Sequence, residues 1–369
     1  MGVYSIAVLA GDGIGPEVMA EAIKVLDAAV LATPGLRLSY TEYEVGAALY
    51  KRTGVAMPPE VFEACTKADA IFLGAVGLPD VRLPDGTEAQ GEVMFKLRFG
   101  LDLYAGIRPI KLYAGVAGAL RSGKPIDYVI MRENVEGLYA SRFGGCILRD
   151  EVATDTIIVT RTGTRRIVEY AFRMARRRNG RPCDGRRVVT CVDKSNVLRS
   201  YAFFRRIFDE VAEEYPDIAR DYAYVDAMTA WQVLYPDHYD VVVAENMFGD
   251  IISDLGAATV GGLGMAPSAD VGDHHGLFQP AHGTAPDIAG KGIANPIATI
   301  LSARMMLEWL ADRHSDNTAA AAARRIEDAV AYVLTQGKVL SQDLGGSART
   351  WEVGEAIADA VAAGKAVTV

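Results

Sequence analysis

At 369 residues the chain is longer than one hydrophobic core usually supports, so its length predicts two domains or lobes. Half of the residues are hydrophobic and 23% are charged, and the formal net charge of −9 argues against nucleic acid or an anionic membrane as a main partner. No apolar stretch is long enough for a membrane span and the four cysteines form no Cys-x-x-Cys pair, so we expect reduced thiols and a cytoplasmic location.

The N-terminal part alternates between predicted strands and helices, which is typical of a parallel α/β sheet. The predicted strands span residues 4–10, 36–44 and 68–73, and the predicted helices span 15–31 and 59–66. The first strand-to-helix loop, Gly11–Glu17, has the spacing G-x-G-x-G-P rather than the dinucleotide fingerprint G-x-G-x-x-G. A tight turn explains its glycines, and a phosphate cradle is the alternative.

Several predicted buried strands in the middle of the chain lead into a polar residue. These strands span 126–131, 187–192, 221–225 and 241–244, and the polar residues beyond them are Arg132, Lys194, Asp226 and Asp250. Because ligand sites of α/β proteins gather at the carboxyl ends of strands, we expect an active-site crevice there. Residues 141–162 instead carry β-branched side chains at alternate positions, which predicts an antiparallel hairpin that could serve as an arm for subunit contact.

Residues 241–256 predict a buried strand followed by a helix. We expect Gly249 and Asp250 to open the helix, with Asp250 as its N-cap. Asp250 and Asp254 would leave one helix face a turn apart, where like charges repel. A divalent cation would relieve the repulsion, and oxygen ligands suit Mg²⁺ or Mn²⁺ better than Zn²⁺. The alternative is a solvated first turn whose acids interact with the helix dipole.

The remainder of the chain predicts a loop and two closing helices. Residues 272–292, rich in glycine and histidine, predict a long loop, and residues 296–312 and 318–335 predict helices. Asp226 is a candidate third oxygen ligand for the cation, and local spacing leaves open whether it meets the other two aspartates.

Three arginines, a lysine and a tyrosine are further candidates for chemistry. Arg98, Arg108 and Arg132 could bind two carboxylates, since guanidinium groups match carboxylates bidentately. Taken singly, Arg98 and Arg108 are more typical of surface ion pairs. Lys194 follows an aspartate and is either its ion-pair partner or a base with a lowered pKa. Tyr139, taken alone, is more typical of packing.

Seven motifs run in order along nearly the whole chain. They are GDGIGPEV (11–18), LRFGLDLYAGIRP (97–109), RENVEGLY (132–139), DKSNVL (193–198), YVDAM (224–228), ENMFGDIISD (245–254) and HGTAPDIAGKGIANP (282–296). Together they resemble the motifs of the metal-dependent β-decarboxylating dehydrogenases. That family includes isopropylmalate, isocitrate, homoisocitrate and D-malate/tartrate dehydrogenases, and the chain looks nearest to the isopropylmalate and D-malate/tartrate members.

The resemblance implies an α/β, two-lobed, isopropylmalate-dehydrogenase-like fold, with a mainly parallel sheet flanked by helices and a nucleotide site that is not of the Rossmann type. Residues 1–106 and 261–369 would form a coenzyme-binding domain. Residues 107–260 would form a dimerisation domain that carries substrate and metal residues and the β arm near 141–162. The resemblance also implies a homodimer with shared active sites, in which the neighbouring subunit contributes Lys194 and Asp226.

Individual residues acquire implied roles from the same resemblance. Tyr139 and Lys194 match the catalytic pair. The residues that match the Mg²⁺ or Mn²⁺ ligands are Asp226, Asp250 and Asp254, and those that match the substrate site are Arg98, Arg108, Arg132, Met94 and Phe95. The residues that match the NAD site are Asn196, His282, Gly283, Ala285, Asp287, Ile288 and Asn295. Because the acid at Asp287 would accept hydrogen bonds from ribose hydroxyls and repel a 2′-phosphate, we expect NAD⁺ rather than NADP⁺.

One predicted helix bears on the substituent at C3 of the malate. Glu92 and Met94 stand where isocitrate enzymes place a serine and an asparagine, so the third carboxylate of isocitrate would be repelled. Met94 and Phe95 resemble the leucine pair that receives an isopropyl group, whereas Gly91 and Gln279 stand where relatives carry glutamates. We therefore expect NAD⁺-dependent oxidative decarboxylation of 3-isopropylmalate or a similar 3-alkylmalate, then D-malate or tartrate, then homoisocitrate. A catalytically silent regulatory subunit is the alternative from another class, and the intact site residues argue against it.

Overall fold

The structure, a computed structural model, describes residues 2–141 and 144–367. The strands are β1 (Gly2–Gly11), β2 (Leu36–Glu42), β3 (Ala70–Ala75), β4 (Ala105–Lys111), β5 (Asp127–Glu133), β6 (Cys146–Leu148), β7 (Val152–Thr154), β8 (Val188–Asp193), β9 (Ala219–Tyr224), β10 (Val241–Ala244), β11 (Pro267–Val271) and β12 (Gly276–Pro280). The helices are α1 (Gly15–Leu31), α2 (Ala47–Thr53), α3 (Pro59–Lys67), α4 (Gln90–Gly100), α5 (Gly137–Ala140), α6 (Arg161–Arg177), α7 (Arg199–Ala212), α8 (Val225–Leu234), α9 (Asn246–Thr259), α10 (Ile297–His314), α11 (Asn317–Gln336) and α12 (Thr350–Ala362).

The first compact unit comprises Met1–Asp102, Tyr113–Ala117 and Gly261–Val369. Its strands lie in the order β2-β1-β3-β12-β11, and all neighbours are parallel except β11 and β12. The helices α1, α10, α11 and α12 pack against one another through small and branched apolar side chains. Strand β3 is buried along its whole length, as expected for a parallel strand covered on both faces.

The second compact unit comprises Leu103–Leu112 and Gly118–Val260. Its strands lie in the order β4-β5-β10-β8-β9, and all neighbours are parallel except β4 and β5. Strands β8 and β10 are fully buried, and helix α9 packs on β4, β5 and β10. Of the polar residues that the sequence singled out, Arg132 lies near the carboxyl end of β5 and Lys194 directly follows β8, whereas Asp250 lies in α9.

The expected α/β class, with mostly parallel strands flanked by helices, is therefore confirmed. Relative to the predicted domain boundaries, residues 103–106 lie in the second unit and Tyr113–Ala117 lie in the first. The coenzyme-binding and dimerisation roles of these parts of the chain stay predictions. Within the described residues, the structure contains no helix with both the length and the apolar character needed to cross a bilayer.

The glycine loop after β1 is held by the side chain of Asp12. This buried carboxylate accepts hydrogen bonds from the backbone N–H groups of Ala47, Ala48 and Gly77, at 2.7, 2.9 and 2.8 Å. Asp12 thereby caps the first turn of α2 from a distant loop. Gly11 and Gly13 have positive φ angles of 77° and 59°, where an L side chain would be strained. The loop is thus a tight turn anchored by Asp12, which favours the turn interpretation over the phosphate cradle.

The predicted loop at 272–292 and the predicted start of α9 were wrong. The predicted loop at 272–292 contains β12, whose five residues are all buried and pair with β3 and β11. A fully buried strand shows no polar alternation, so its pattern could not be separated from a loop. Asp250 is not an N-cap, because α9 already begins at Asn246, and the carboxylate of Glu245 accepts hydrogen bonds from the next free backbone N–H groups.

The predicted arm is present as a short antiparallel hairpin of β6 and β7. Its apolar side chains face solvent, with Ile147 73% exposed and Val152 50% exposed. Exposed apolar side chains on a hairpin are suited to burial against another chain. Residues 142 and 143 of the predicted arm lie outside the described residues, and the role of the arm in subunit contact stays a prediction.

The cysteines are free thiols, as predicted. Cys65 and Cys191 are buried, whereas Cys146 and Cys183 are exposed. Burial raises the pKa of Cys65 to about 12, so this thiol stays protonated and unreactive near neutral pH.

Candidate active site

Two aspartates on α9 form the acidic part of a candidate site in the second unit. Asp250 and Asp254 lie one turn apart, so their carboxylates leave the same face of the helix. Burial, followed by the nearby charge of Asp250, raises the pKa of the Asp254 carboxyl. Asp250 is partly buried and Asp254 is exposed. Like charges one turn apart on a helix repel, so a cation that joined the two carboxylates would stabilise them. An oxygen-only pair of this kind fits Mg²⁺ or Mn²⁺, which the sequence also implied.

Arg132, at the end of β5, lies beside this acidic face and is almost fully buried. Its Nη1 pairs with Asp250, while its Nε and Nη2 donate to Asn246 Oδ1 at 3.0 and 2.8 Å. Asn246 in turn donates from Nδ2 to the carbonyl of Glu136 at 2.9 Å. Asn246 therefore orients the guanidinium, a role that the sequence did not reveal although the residue lies inside the ENMFGDIISD motif.

Arg108 lies on the same sheet face as Arg132. In the antiparallel register of β4 and β5, Arg108 is opposite Ile130, so Arg132 is its diagonal neighbour. Arg108 is 5% exposed, and its Nε is buried without a hydrogen-bond partner among the described residues. A buried, unsatisfied guanidinium donor is costly, which favours a ligand carboxylate at this position.

Tyr139, on the short helix α5, reaches the same group. Its hydroxyl donates to Asp250 Oδ2 at 3.3 Å, and the Arg132 guanidinium lies 5.6 Å from the centre of its ring. Burial, and then the charge of Asp250, raises the pKa of the Tyr139 phenol, so it stays protonated near neutral pH. Tyr139 is therefore placed beside polar groups rather than in apolar packing.

Lys194 and Asp226 form a second, separate pair. Lys194 follows β8 and its Nζ bonds to Asp226, which lies in the first turn of α8 rather than at the tip of a strand as predicted. The hydrogen bond from Lys194 lowers the pKa of Asp226, whose side chain is 67% exposed. Strand β9 ends at Tyr224 and helix α8 begins at Val225, so Asp226 lies in a helix.

The loop that carries Lys194 is anchored by the carboxylate of Asp193. Asp193, at the end of β8, is fully buried and accepts hydrogen bonds from Arg205 Nε at 2.6 Å and Nη2 at 3.1 Å. The same carboxylate accepts a hydrogen bond from the backbone N–H of Ser195 at 2.8 Å. Asp193 thus pairs with Arg205, which excludes a simple ion pair with Lys194. Asn196, the predicted nicotinamide neighbour, is exposed on this loop.

The three predicted metal ligands do not gather within one chain. Across residues 2–141 and 144–367, no three Asp, Glu, His or Cys side chains come close enough together to hold a metal. Asp250 and Asp254 stand on one helix, and Asp226 is engaged with Lys194. The resemblance implies that Lys194 and Asp226 serve the neighbouring subunit, and this stays a prediction.

In the first unit, helix α4 carries the other predicted substrate residues. Arg98 is buried and donates from Nε to Asp270 Oδ2 at 2.9 Å. Met94 is buried, and the partly buried ring of Phe95 stacks on Phe99 with a centroid separation of 5.5 Å. An aliphatic and an aromatic side chain on one helix are suited to an apolar substituent rather than a charged one.

The loop predicted to bind the adenosine group is anchored to the glycine loop through Thr284, whose carbonyl accepts a hydrogen bond from Ile14 N at 2.9 Å. His282 Nδ1 lies 2.9 Å from the carbonyl of Gly283, so it must donate, while Nε2 is buried without a partner among the described residues. Burial lowers the pKa of His282, which leaves Nε2 as an acceptor for a ligand donor.

Some of the other residues of this loop are open to a ligand, and others are not. Asp287 is exposed, Ala285 has a positive φ of 39°, and a Cβ at Gly283 would meet nothing within 4 Å. An exposed carboxylate beside open backbone is suited to sugar hydroxyls. Ile288 packs with Ile14 and Val18, whereas Asn295 donates to Asp343 at 3.0 Å and accepts from Ile297 N at 3.0 Å. Ile288 and Asn295 therefore have structural contacts of their own.

Asp270 is the residue of this region that sequence reasoning missed. It is fully buried, and it stands in the otherwise uncharged strand β11, Pro267–Val271. An acid inside a short buried strand needs a partner, and that pattern was the available signal.

Comparison with known proteins agrees with these motifs and with the fold. The family model "Isocitrate/isopropylmalate dehydrogenase" matches residues 5–357. A "3-isopropylmalate/3-methylmalate dehydrogenase" of Methanocaldococcus jannaschii is 45% identical, over 97% of this chain and 99% of the relative. A "probable tartrate dehydrogenase/decarboxylase" of Agrobacterium vitis is 41% identical, over 97% of this chain and 98% of the relative.

A solved structure extends the likeness to three dimensions. The crystal structure of an isocitrate dehydrogenase from Methylococcus capsulatus superposes with a TM-score of 0.85 at 36% identity, covering 97% of this chain and 99% of that one. Sequence and structural likeness thus extend over nearly the full length. The chain belongs to the isocitrate/isopropylmalate dehydrogenase family and is a dehydrogenase of that kind.

Proposed function

We propose that the protein catalyses the oxidative decarboxylation of a 3-substituted D-malate, with NAD⁺ as hydride acceptor and Mg²⁺ or Mn²⁺ as the metal. The observation that carries the proposal is the joint placement of Asp250 and Asp254 on one helix face, with Arg132 and Tyr139 bonded to Asp250. Acids for a cation, a guanidinium for a carboxylate and a phenol for a proton are the groups that this reaction needs.

Each site residue has its own role in the proposed oxidative decarboxylation. Lys194, assisted by Asp226, removes the proton of the C2 hydroxyl as hydride leaves for the coenzyme. Tyr139 donates a proton to the carbon that has lost CO₂. Asp250 and Asp254, together with Asp226, would hold the divalent cation, which would supply positive charge at the C2 oxygen. Arg98, Arg108 and Arg132 orient the carboxylates and offset their charge.

The active unit would be a homodimer. Within one chain Lys194 and Asp226 stay apart from the Asp250 and Asp254 face, and Asp226 is largely exposed, as a residue that completes a partner's site must be. One protomer would thus supply Lys194 and Asp226 to the site of its partner. The exposed apolar hairpin of β6 and β7 would support this pairing.

We infer that the preferred substrate is 3-isopropylmalate or a similar 3-alkylmalate. Buried Met94 and the Phe95 ring favour an apolar substituent, and exposed Glu92 would repel a third carboxylate. The 45% identical relative, whose name includes both isopropylmalate and methylmalate, supports this choice. D-malate or tartrate is the second candidate, supported by the relative named for tartrate, and homoisocitrate is the third. The intact catalytic and ligand residues argue against a silent regulatory subunit.

A substrate screen tests the proposal. NAD⁺ reduction would be followed with Mg²⁺ and each of 3-isopropylmalate, D-malate, tartrate, isocitrate and homoisocitrate. We expect the highest kcat/KM for 3-isopropylmalate and the lowest for isocitrate. A higher value for D-malate or tartrate would reverse the order of the first two candidates. Absence of turnover with all five would favour the silent subunit.

The coenzyme preference is expected to depend on Asp287. Asp287→Lys should raise the ratio of kcat/KM for NADP⁺ to that for NAD⁺ by about tenfold or more, because a lysine attracts the 2′-phosphate that an aspartate repels. The measurement is initial rates with both coenzymes. Glu355→Lys, an equal charge change at an exposed position of α12, is the control. An unchanged ratio in Asp287→Lys would place the discrimination elsewhere.

A further inference from the structure

A buried cluster beneath Arg98 joins α4 to β11 and β12. Arg98 Nε donates to Asp270 Oδ2 at 2.9 Å, and Gln279 Nε2 donates to the same oxygen at 3.0 Å. Asp270 is 0% exposed, Arg98 7% and Gln279 8%. Two donors, one charged and one neutral, therefore converge on a single carboxylate oxygen that water does not reach.

The sheet register explains how the two strand residues meet. In the antiparallel pairing of β11 and β12, Ser268 is opposite Gln279 and Asp270 is opposite Leu277. Asp270 and Gln279 are therefore diagonal neighbours on one face of the sheet. Gln279 is also anchored through its main chain, because its carbonyl accepts a hydrogen bond from Ser302 Oγ at 2.7 Å. The amide that holds Asp270 thus comes from a fixed position.

The neutral amide matters for the charge of the cluster. With glutamine at 279, the contact from this position to Asp270 adds no second negative charge beside Arg98, which favours the buried ion pair. A glutamate at 279 would bring two carboxylates to Arg98 and compete for its donors. Arg98 contacts Asp270 through Nε, so a ligand carboxylate would be met by the Nη edge of the guanidinium.

We propose that Asp270 is the positioning residue for Arg98, and that Gln279 orients Asp270 while keeping a single negative charge beside that arginine. This inference rests on the proposed function, because it takes Arg98 as a residue that binds a substrate carboxylate. Asp270 does not touch the substrate. It determines which edge of the guanidinium the substrate meets.

A charge-exchange series tests the proposal. Asp270→Asn should raise KM about tenfold with kcat within about threefold, because Arg98 loses its fixed orientation but keeps its charge. Gln279→Glu should raise KM increasingly as pH increases and the new carboxyl ionises. The double variant Asp270→Asn/Gln279→Glu restores one negative charge beside Arg98, and its KM should return to within about threefold of the original.

A control variant and a second readout separate an effect on substrate binding from a loss of stability. Asp316→Ala removes an aspartate that caps α11 and accepts a hydrogen bond from Tyr4 at 2.8 Å, so it should lower the melting temperature without changing KM. Asp270→Asn that is less stable but has an unchanged KM would overturn the positioning role. If Asp270→Asn does not fold, the pH-dependent KM of Gln279→Glu decides, and a KM independent of pH would overturn the proposal.

The test also distinguishes failure of the proposed function. The increase in melting temperature on adding D-malate with Mg²⁺ measures dicarboxylate binding without turnover. A protein that shows this increase but turns over none of the five acids contradicts the proposed function. The increase at a fixed D-malate concentration should then be smaller in Asp270→Asn and recovered in the double variant, and an increase in Asp270→Asn equal to that of the unchanged protein would contradict the positioning role instead.

Discussion

Lys194→Met is expected to lower kcat about a thousandfold, the size of effect that a positioned general base contributes. Lys194 Nζ bonds to Asp226, and the loop that carries Lys194 is anchored by the ion pair between buried Asp193 and Arg205. Removing the amine therefore removes the proton acceptor without removing what positions the loop. NAD⁺ affinity, measured by titration calorimetry, should stay within about threefold.

The control for this change is Lys67→Met. Lys67 is an exposed lysine of α3 that pairs with Glu63 at 2.7 Å, and exposed pairs of this kind contribute little to stability. We expect its kcat and KM to match those of the unchanged protein. If Lys194→Met retained turnover within about threefold, the base would have to be another group.

Asp254→Asn is expected to weaken Mn²⁺ binding about a hundredfold, because it removes one of two carboxylates on the same face of α9. Asp254 is the better choice than Asp250, whose loss would also break the ion pair with Arg132. Without metal the variant should be at least as stable as the unchanged protein, since a like charge one turn from Asp250 is gone. Titration calorimetry gives the affinity, and thermal unfolding with and without Mn²⁺ gives the stability.

Asp217→Asn is the matched control for the metal experiment. Asp217 is half-exposed and pairs with Arg176 at 2.7 Å, away from α9. It should leave Mn²⁺ binding unchanged. A Mn²⁺ titration of Asp254→Asn that overlays that of the unchanged protein would remove Asp254 from the ligand set.

Local pattern predicted the elements whose pattern is strong. Helix α1 has its predicted bounds, and α10 and α11 extend only one or two residues beyond theirs. Strand β12 was missed because all of its residues are buried, which leaves no polar alternation. Helix α12 was also missed, since no element was predicted beyond residue 335. The start of α9 was misplaced because its N-cap is Glu245, and glutamate is not among the residues preferred at that position, whereas aspartate, as at Asp250, is.

The site was predictable as a set of residue types and only partly as an arrangement. Spacing along one helix was enough to pair Asp250 with Asp254. The contact between Arg132 and Asp250 joins residues 118 positions apart, and no local pattern reports such a distance. Roles for these residues came from resemblance of motifs. Supporting residues such as Asn246 and Asp270 required the fold, because their function lies in what they hold.

The ratio of CO₂ released to NADH formed, measured with 3-isopropylmalate and Mg²⁺ and again after chelation with EDTA, tests the proposed chemistry most directly. We expect one CO₂ for each NADH, and loss of both products on chelation, because the acidic face of α9 needs its cation. NADH formed without CO₂, or turnover unaffected by chelation, would contradict the account.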